Sequence, residues 1–373
     1  MMKIRLITAD EANTCNDFHN RIWKDRRTVE QWRWDFLPDQ HGTAELPFAV
    51  ADDDGRIVGT QAFIPIRMID RDGVFWTAKS EETLVDPEYR GQKLFDTMYG
   101  LLFEYARRHH FAYIWGFTAA TKAFLKLGFS TPGRTSQLFF PFSVKSVDRL
   151  VRSGGNGEST AKLALYRLGC ALARIVSSTR LTFQRSMVAG KGAMKDVEIR
   201  SESGAPKGAG ELCRRFVQVW GGTTIYRDAD YLRWRIFDNP HVKGTMRTLY
   251  YRGQLLGWVI YGLGDDGVGY LIDLMAVPDD NKAIRVEDVV RLLLKESIVG
   301  TRNMGAVAIR GWHVNNHPFD AILLKSAKSI GFLHLARGHM VVLYHTEGAE
   351  RQPPDDGFND WFVTRIFTEG VLG

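Results

Sequence analysis

The chain has 373 residues, of which 45% are apolar and 25% charged, with a net charge of +6. Such a length exceeds what one hydrophobic core usually fills and implies two domains, while the composition excludes a disordered polymer. Positive charge spread without one long basic tract favours phosphorylated small molecules over a nucleic-acid coat. The ten Trp and twenty-two Phe are a load that cores, an interface or a substrate groove can use. Cys15, Cys170 and Cys213 lie far apart and in no C-x-x-C pair, which fits reduced thiols and not a disulfide frame or zinc site. Residues 1–7 enter a strand-like segment with no signal-peptide pattern, and no run of about 18 apolar residues offers a membrane span. A cytoplasmic location is therefore expected.

In chain order, a helix over 30–36 stops before Pro38, and strands over 47–51 and 55–63 turn at Gly55. A longer strand over 79–87 closes at Pro87, a helix follows over 94–108, then a strand over 112–115 and a helix ending in Gly128-Phe129. Residues 143–195 read as a linker, with a flexible turn at 153–159 and a helix over 160–178. Its most apolar part, 163–176, carries Arg167 and Arg174 and reads as a packed amphipathic helix. The series then repeats. A helix over 230–237 precedes Pro240, strands at 246–251 and 253–261 turn at Gly253, and a strand over 271–278 closes at Pro278. A helix over 286–299, a strand over 306–312 and a helix ending in Gly331-Phe332 complete it. Two long units and no third indicate a duplicated domain, not a solenoid. The expected division is 1–142, a linker over 143–195, and 196–373.

The segment joining strand 79–87 to helix 94–108 contains Arg90-Gly91-Gln92-Lys93. The first amides of a helix lack intrahelical partners and its dipole favours negative charge, so a basic, glycine-containing loop there is an anion cradle suited to a diphosphate. The corresponding segment of the second half, 278–288, has no glycine and four carboxylates, which would repel a diphosphate by several kcal/mol if unscreened. A cofactor of that kind belongs in the first half.

The loop resembles the acyl-CoA pyrophosphate loop of the GNAT acyltransferase superfamily, whose signature runs Arg/Gln-x-x-Gly-x-Gly/Ala. The order of elements and the two Gly-Phe pairs are similar to the same superfamily over nearly the whole chain. The resemblance implies an α/β fold class, two tandem GNAT folds, each a mixed, twisted sheet flanked by helices. It further implies acetyl-CoA or another acyl-CoA as co-substrate, contacted by Leu84, Val85, Arg90, Gly91, Gln92, Lys93, Leu94, Phe95, Thr118 and Thr121, with no metal. The thioester carbonyl would meet a backbone amide between Thr83 and Val85.

Two acids, Glu81 and Glu82, stand on this central strand, where buried carboxylates are costly unless paired or functional. Glu82 and Asp273 each lie five residues before a Pro, so an acid retained in both halves is more simply structural, pairing with an Arg. Glu81 faces Ile272 in the repeat and is the better candidate for a base or amine-binding group. The chain departs from the family at Phe124, where many relatives carry a Tyr, and at Ala119, where many carry an Asn. Thr118, Thr121 or water would then protonate the leaving thiolate. His313 and Asn316, in the polar loop 313–317, are candidates for binding a nucleotide or sugar, and His41 and His241 read as surface residues. No ligand spacing suggests a metal.

Together these features imply an acyl-CoA-dependent N-acyltransferase that delivers an acyl group to a primary amine by direct attack on the thioester. The acceptor would be a nucleotide-linked amino sugar, as in bacterial enzymes of surface polysaccharide pathways, reached from a cleft between the halves. Two alternatives stay open: an aminoacyl-tRNA-dependent transferase of the peptidoglycan type, and a non-catalytic acyl-CoA-binding protein. No nucleic-acid partner is expected on the first reading, and the oligomeric state is left open.

Overall fold

The computed structural model describes all residues except 25, 38–44, 147–159, 189–194, 282, 315–316, 336–337, 339, 350, 352–359 and 369–373, and the side chains of 160–163 and 183–188. The chain runs through β1 (Met2–Leu6), α1 (Ala12–Trp23), α2 (Val29–Phe36), β2 (Phe48–Asp53), β3 (Arg56–Asp70) and β4 (Gly73–Val85). It continues with α3 (Leu94–Arg108), β5 (Tyr113–Thr118), α4 (Thr121–Lys126), β6 (Ser136–Pro141) and the long helix α5 (Thr160–Val188). The second series is β7 (Val197–Glu202), α6 (Ala209–Trp220), β8 (Thr224–Ile225), α7 (Ala229–Leu232), β9 (Thr245–Tyr251), β10 (Gln254–Leu263) and β11 (Gly269–Ala276). It closes with α8 (Val286–Asn303), β12 (Ala308–His313), α9 (Pro318–Ile330), β13 (Leu333–Leu335) and β14 (Met340–His345).

Two compact units result, Met1–Arg134 with His339–Asn359, and Thr135–Gly338 with Asp360–Gly373. The first sheet has the order β1-β2-β3-β4-β5-β14 and the second β13-β6-β12-β11-β10-β9-β7. Each is an antiparallel meander joined at its centre by one parallel pair, β4 with β5 and β11 with β12. The duplication expected from the sequence is thus present in a mixed α/β fold, with β13 as an added edge strand of the second order.

The units differ from the expected division 1–142, linker 143–195 and 196–373: the linker residues fall within the second unit, and two strands are exchanged. β6 follows the first series but pairs with β12 of the second sheet, and β14 follows the second series but pairs with β5 of the first. Each unit therefore takes its strand beyond the parallel pair from the other half of the chain. Both strands are apolar enough to be buried: β6 wholly, and β14 through Val341, Val342 and Leu343.

Both Gly-Phe pairs end their helices in the same way. Gly128 and Gly331 adopt left-handed φ of +88° and +110°, and the next amide, of Phe129 or Phe332, donates to the carbonyl five residues back, of Phe124 or Ala327. This Schellman closure turns the phenylalanine inward, where both rings are buried. The first core gathers α3 against the sheet through Met98, Tyr99, Leu102 and Tyr105, with Phe63, Phe111, Phe124 and Phe129 around them.

Candidate functional site

The site of the first unit is built where β4 leaves regular pairing. Along β3 and β4 the register runs Ala62 with Glu81, then Thr60 with Leu84, so Gln61 faces both Glu82 and Thr83. A bulge of this kind bends the strand and re-aims its side chains, and it places Glu82 at φ +55°, unusual for a residue with a Cβ. Gln61, fully buried, holds the bulge: its Nε2 donates to the carbonyls of Ala62 and Glu81 and to Ser80 Oγ, and its Oε1 accepts from the Thr83 hydroxyl. Ser80 Oγ also meets the Tyr99 hydroxyl at 2.6 Å. The irregularity recurs in the second unit, where Ile272 is the extra residue between the pairs Ile260–Asp273 and Tyr261–Leu271.

The parallel ladder of β4 and β5 is short, joining Ala78 to Ile114 and Lys79 to Trp115. Gly116 keeps the strands close just past it, since a Cβ there would lie 3.2 Å from the Ser80 carbonyl oxygen. Among the described residues no ladder pairing of β4 with β5 continues beyond this point, so the bulged stretch of β4 turns an edge toward β5 without strand partners. The amides expected to meet a thioester carbonyl, between Thr83 and Val85, lie on this stretch.

The two acids of β4 are divided by their surroundings. Glu82 has a side chain only 5% exposed, and Arg27 embraces it with two guanidinium hydrogen bonds of 2.8 and 3.1 Å, while His19 Nδ1 lies 2.8 Å from Oε1. Burial alone would raise its pKa, but the hydrogen bond from His19 and the charge and hydrogen bonds of Arg27 prevail and hold the carboxyl below the usual range. Arg27 is itself held in place, its Nε on Asn16 and its backbone carbonyl on the amides of Asn16 and Asn20 from α1. Glu81 is 38% exposed and lies 2.7 Å from the buried ammonium of Lys79.

The second unit repeats the buried pair. Arg227 donates two hydrogen bonds of 2.9 and 3.1 Å to Asp273, which also accepts from the Trp258 indole and the Thr364 hydroxyl. Arg27 and Arg227 each precede the N-cap of a helix, Thr28 of α2 and Asp228 of α7, the latter continued by a π-helical turn over Arg233–Phe237 that carries Trp234. The pairing of Glu82 and Asp273 with an arginine, expected from the repeat, is observed. Neither arginine nor His19 was singled out in the sequence, although extending the repeat three residues upstream of 30 and 230 aligns Arg27 with Arg227.

Past Val85 the chain makes a short turn at Pro87–Tyr89 and enters α3 through exposed Arg90, Gly91, Gln92 and Lys93. Gly91 has φ +84° and Lys93, the N-cap, φ +60°, with no side-chain cap on the first turn. The first-turn amides of α3 are therefore left to a ligand or solvent. The first turn of α8 in the second unit likewise has no side-chain cap, but a carboxylate sits in the loop ahead of it. Buried Asp279 accepts from the amides of Ala283 and Ile284 ahead of α8, at 3.0 and 2.9 Å. Although burial opposes it, those backbone bonds hold its pKa below the ordinary value.

The other expected residues fall out as follows. The side chains of Leu84 and Leu94 are buried, and Phe95 packs on Tyr99 and Phe124, so these three serve the core and leave only backbone to a ligand. Val85 is half-buried. Thr118 ends β5 and accepts the Ala120 amide, and Thr121 begins α4. Phe124 lies in an aromatic cluster with Phe95, Tyr99 and Phe129. His313 is buried in the second unit with Nε2 on the Asp320 carbonyl and Nδ1 near Ser136 Oγ, and burial lowers its pKa to about 4. Its ring nitrogens are thus engaged inside the protein. His317 caps α9. Asn316 and His41 lie outside the described residues. Among the described residues no group of three His, Cys, Asp or Glu is placed to hold a metal, and the three cysteines are buried free thiols.

Residues 3–131 match the family model of the acetyltransferase (GNAT) domain. No match is found among curated proteins. Among solved structures, a GCN5-related N-acetyltransferase from Anabaena variabilis ATCC 29413 is similar at TM-score 0.60 and 10% identity, covering 93% of this chain and 73% of that one. A GCN5-related N-acetyltransferase from Kribbella flavida gives 0.57 and 14%, covering 92% and 71%. A tandem GNAT protein from the clavulanic acid biosynthesis pathway gives 0.51 and 12%, covering 94% of this chain and 100% of that one. At these identities the likeness establishes fold, and the family model covers the unit that carries the open loop. Within the first unit, residues 3–131 thus match the GNAT acetyltransferase domain model, and the solved structures share the fold of the chain as a whole.

Proposed function

We propose that the chain is an acyl-CoA-dependent N-acyltransferase whose reaction takes place in the first unit. The observation that carries this reading is the succession, along one stretch of chain, of a bulged and laterally unpaired β4 followed by a helix N-terminus whose amides are uncapped. Acyl-CoA, when bound, supplies the activated thioester. Arg90 and the amides around Gly91 to Leu94 fit its diphosphate by charge and geometry. An amide of residues 83–85 is the donor for the thioester carbonyl oxygen, a site that rigid backbone fixes without reorganisation. Glu81, partly exposed and beside Lys79, takes the proton of the incoming ammonium, because Glu82 is spent on Arg27 and His19. The acceptor is a small primary amine, and a nucleotide-linked amino sugar suits the basic chain. An acyl-CoA donor suits the cytoplasm.

Thermal denaturation with acetyl-CoA tests the reading. A ligand at about a hundred times its dissociation constant stabilises by about 2.7 kcal/mol, so wild type shifts upward and Arg90→Glu does not. Absence of a shift with any acyl-CoA overturns the proposal. Release of free thiol with a panel of amines and amino-sugar nucleotides then identifies the acceptor.

A further inference from the structure

We propose that α5 is a membrane-docking helix that seats the protein on an anionic lipid surface. Its inner face, Cys170, Ser177 and Leu181, is buried, with Ser177 Oγ donating to the Gly331 carbonyl and Arg180 to that of Lys328. The sequence suggested a helix packed along its apolar side, but a second apolar face looks outward. Leu165, Leu168, Leu172 and Ile175 are 66%, 59%, 58% and 60% exposed, with Val176 beside them. Their spacing of three, four and three residues puts them on one stripe, which at 100° per residue lies opposite Cys170, Ser177 and Leu181. The ridge is therefore not left over from packing against the protein.

Charge decides what the ridge fits. α5 carries Lys162, Arg167, Arg174, Arg180 and Arg185 and no acid. On the same wheel Arg180 falls to one side of the ridge and Arg167 and Arg174 to the other. Over residues 143–195 ten Lys and Arg stand against Asp148 and Glu158 alone, so this stretch holds more positive charge than the whole chain's net +6. A second copy seated ridge to ridge would set cations against cations with no acid on the helix to answer them. An apolar ridge bordered by cations instead matches the boundary between acyl chains and anionic headgroups. No described helix is long and apolar enough to cross a bilayer, so α5 lies along the surface.

Flotation of the full chain with vesicles is the test. Wild type floats with vesicles rich in phosphatidylglycerol, not with phosphatidylcholine alone, and the bound fraction falls as salt rises. Replacing both Leu168→Asp and Leu172→Asp abolishes flotation, and Arg167→Gln with Arg174→Gln lowers partitioning roughly tenfold or more. These side chains point outward, and unchanged circular dichroism and thermal midpoint certify folding. The proposal is overturned if wild type does not float with anionic vesicles, or if the aspartate pair leaves flotation unchanged. Dimerisation by sedimentation that the aspartate pair dissolves, without flotation, assigns the ridge to a second copy and equally overturns it.

Discussion

Glu81 and Glu82 are adjacent and chemically identical, and their surroundings alone divide them. The bulge sends Glu82 to Arg27 and His19, while Glu81 stays at the surface beside Lys79. Breaking a buried pair leaves an uncompensated charge and costs about 3–5 kcal/mol, so Glu82→Gln should lower the thermal midpoint strongly. Glu81→Gln should cost much less stability and instead reduce kcat for amine acylation by roughly a hundredfold, the scale of a lost general base. An unchanged kcat in Glu81→Gln would remove that assignment. The folded state holds Glu82 below its unfolded value, so its stabilisation is complete above the unfolded pKa of about 4.3 and is lost as pH falls through the folded one. Wild type should therefore weaken in acid more steeply than Glu82→Gln, as an acid titration followed by circular dichroism would show. The sequence pointed to an arginine partner but not to its identity, because Arg27 and Glu82 are 55 residues apart and only the fold joins them.

At the level of elements, the loop before α3 and its twin before α8 differ in charge and in backbone shape. In the second unit the carboxylate of Asp279 holds the loop amides of Ala283 and Ile284 ahead of α8. In the first, two left-handed residues, Gly91 and Lys93, shape an uncapped turn. A Cβ at Gly91 would meet nothing within 4 Å, so Gly91→Ala is penalised by backbone strain alone, about 1–2 kcal/mol. Lys93 already bears that strain. Lys93→Gly should relieve it and raise the thermal midpoint, while weakening acyl-CoA binding only modestly and less so at high salt. Calorimetric titration of both variants checks this, and a large salt-independent loss in Lys93→Gly would show that its ammonium grips the ligand directly. This loop and its helix were legible because glycine, charge and helical spacing coincide in a dozen residues. The bulge was not. Its only trace is two acids side by side where a strand should alternate, and its hold comes from Gln61 on the neighbouring strand.

At the scale of the molecule, the repeat was visible because both halves carry the same elements between the same turn residues. The exchange of β6 and β14 was not, because an apolar strand states that it is buried, not in which sheet. Val341, Val342 and Leu343 satisfy either partner by pattern, and only the pairing of β14 with β5 resolves it. The exchange makes the first half incomplete in isolation. Without β14, the edge of β5 from Tyr113 to Thr118 loses its antiparallel neighbour, Phe103 loses the stacked ring of Tyr344, and Asp70 loses the guanidinium of Arg351. An unpaired, apolar edge invites association between chains. A fragment of residues 1–134 should therefore express as aggregate or unfold without a cooperative transition, although it contains every residue that the family model matches. Joining residues 339–351 to it through a flexible linker should restore a soluble domain with a sigmoidal melt, as the closed edge and the buried Val341 to Leu343 contacts return. Cooperative unfolding of the bare fragment, equal in midpoint to the linked one, would show that β14 contributes nothing to the first core and that its pairing with β5 is incidental.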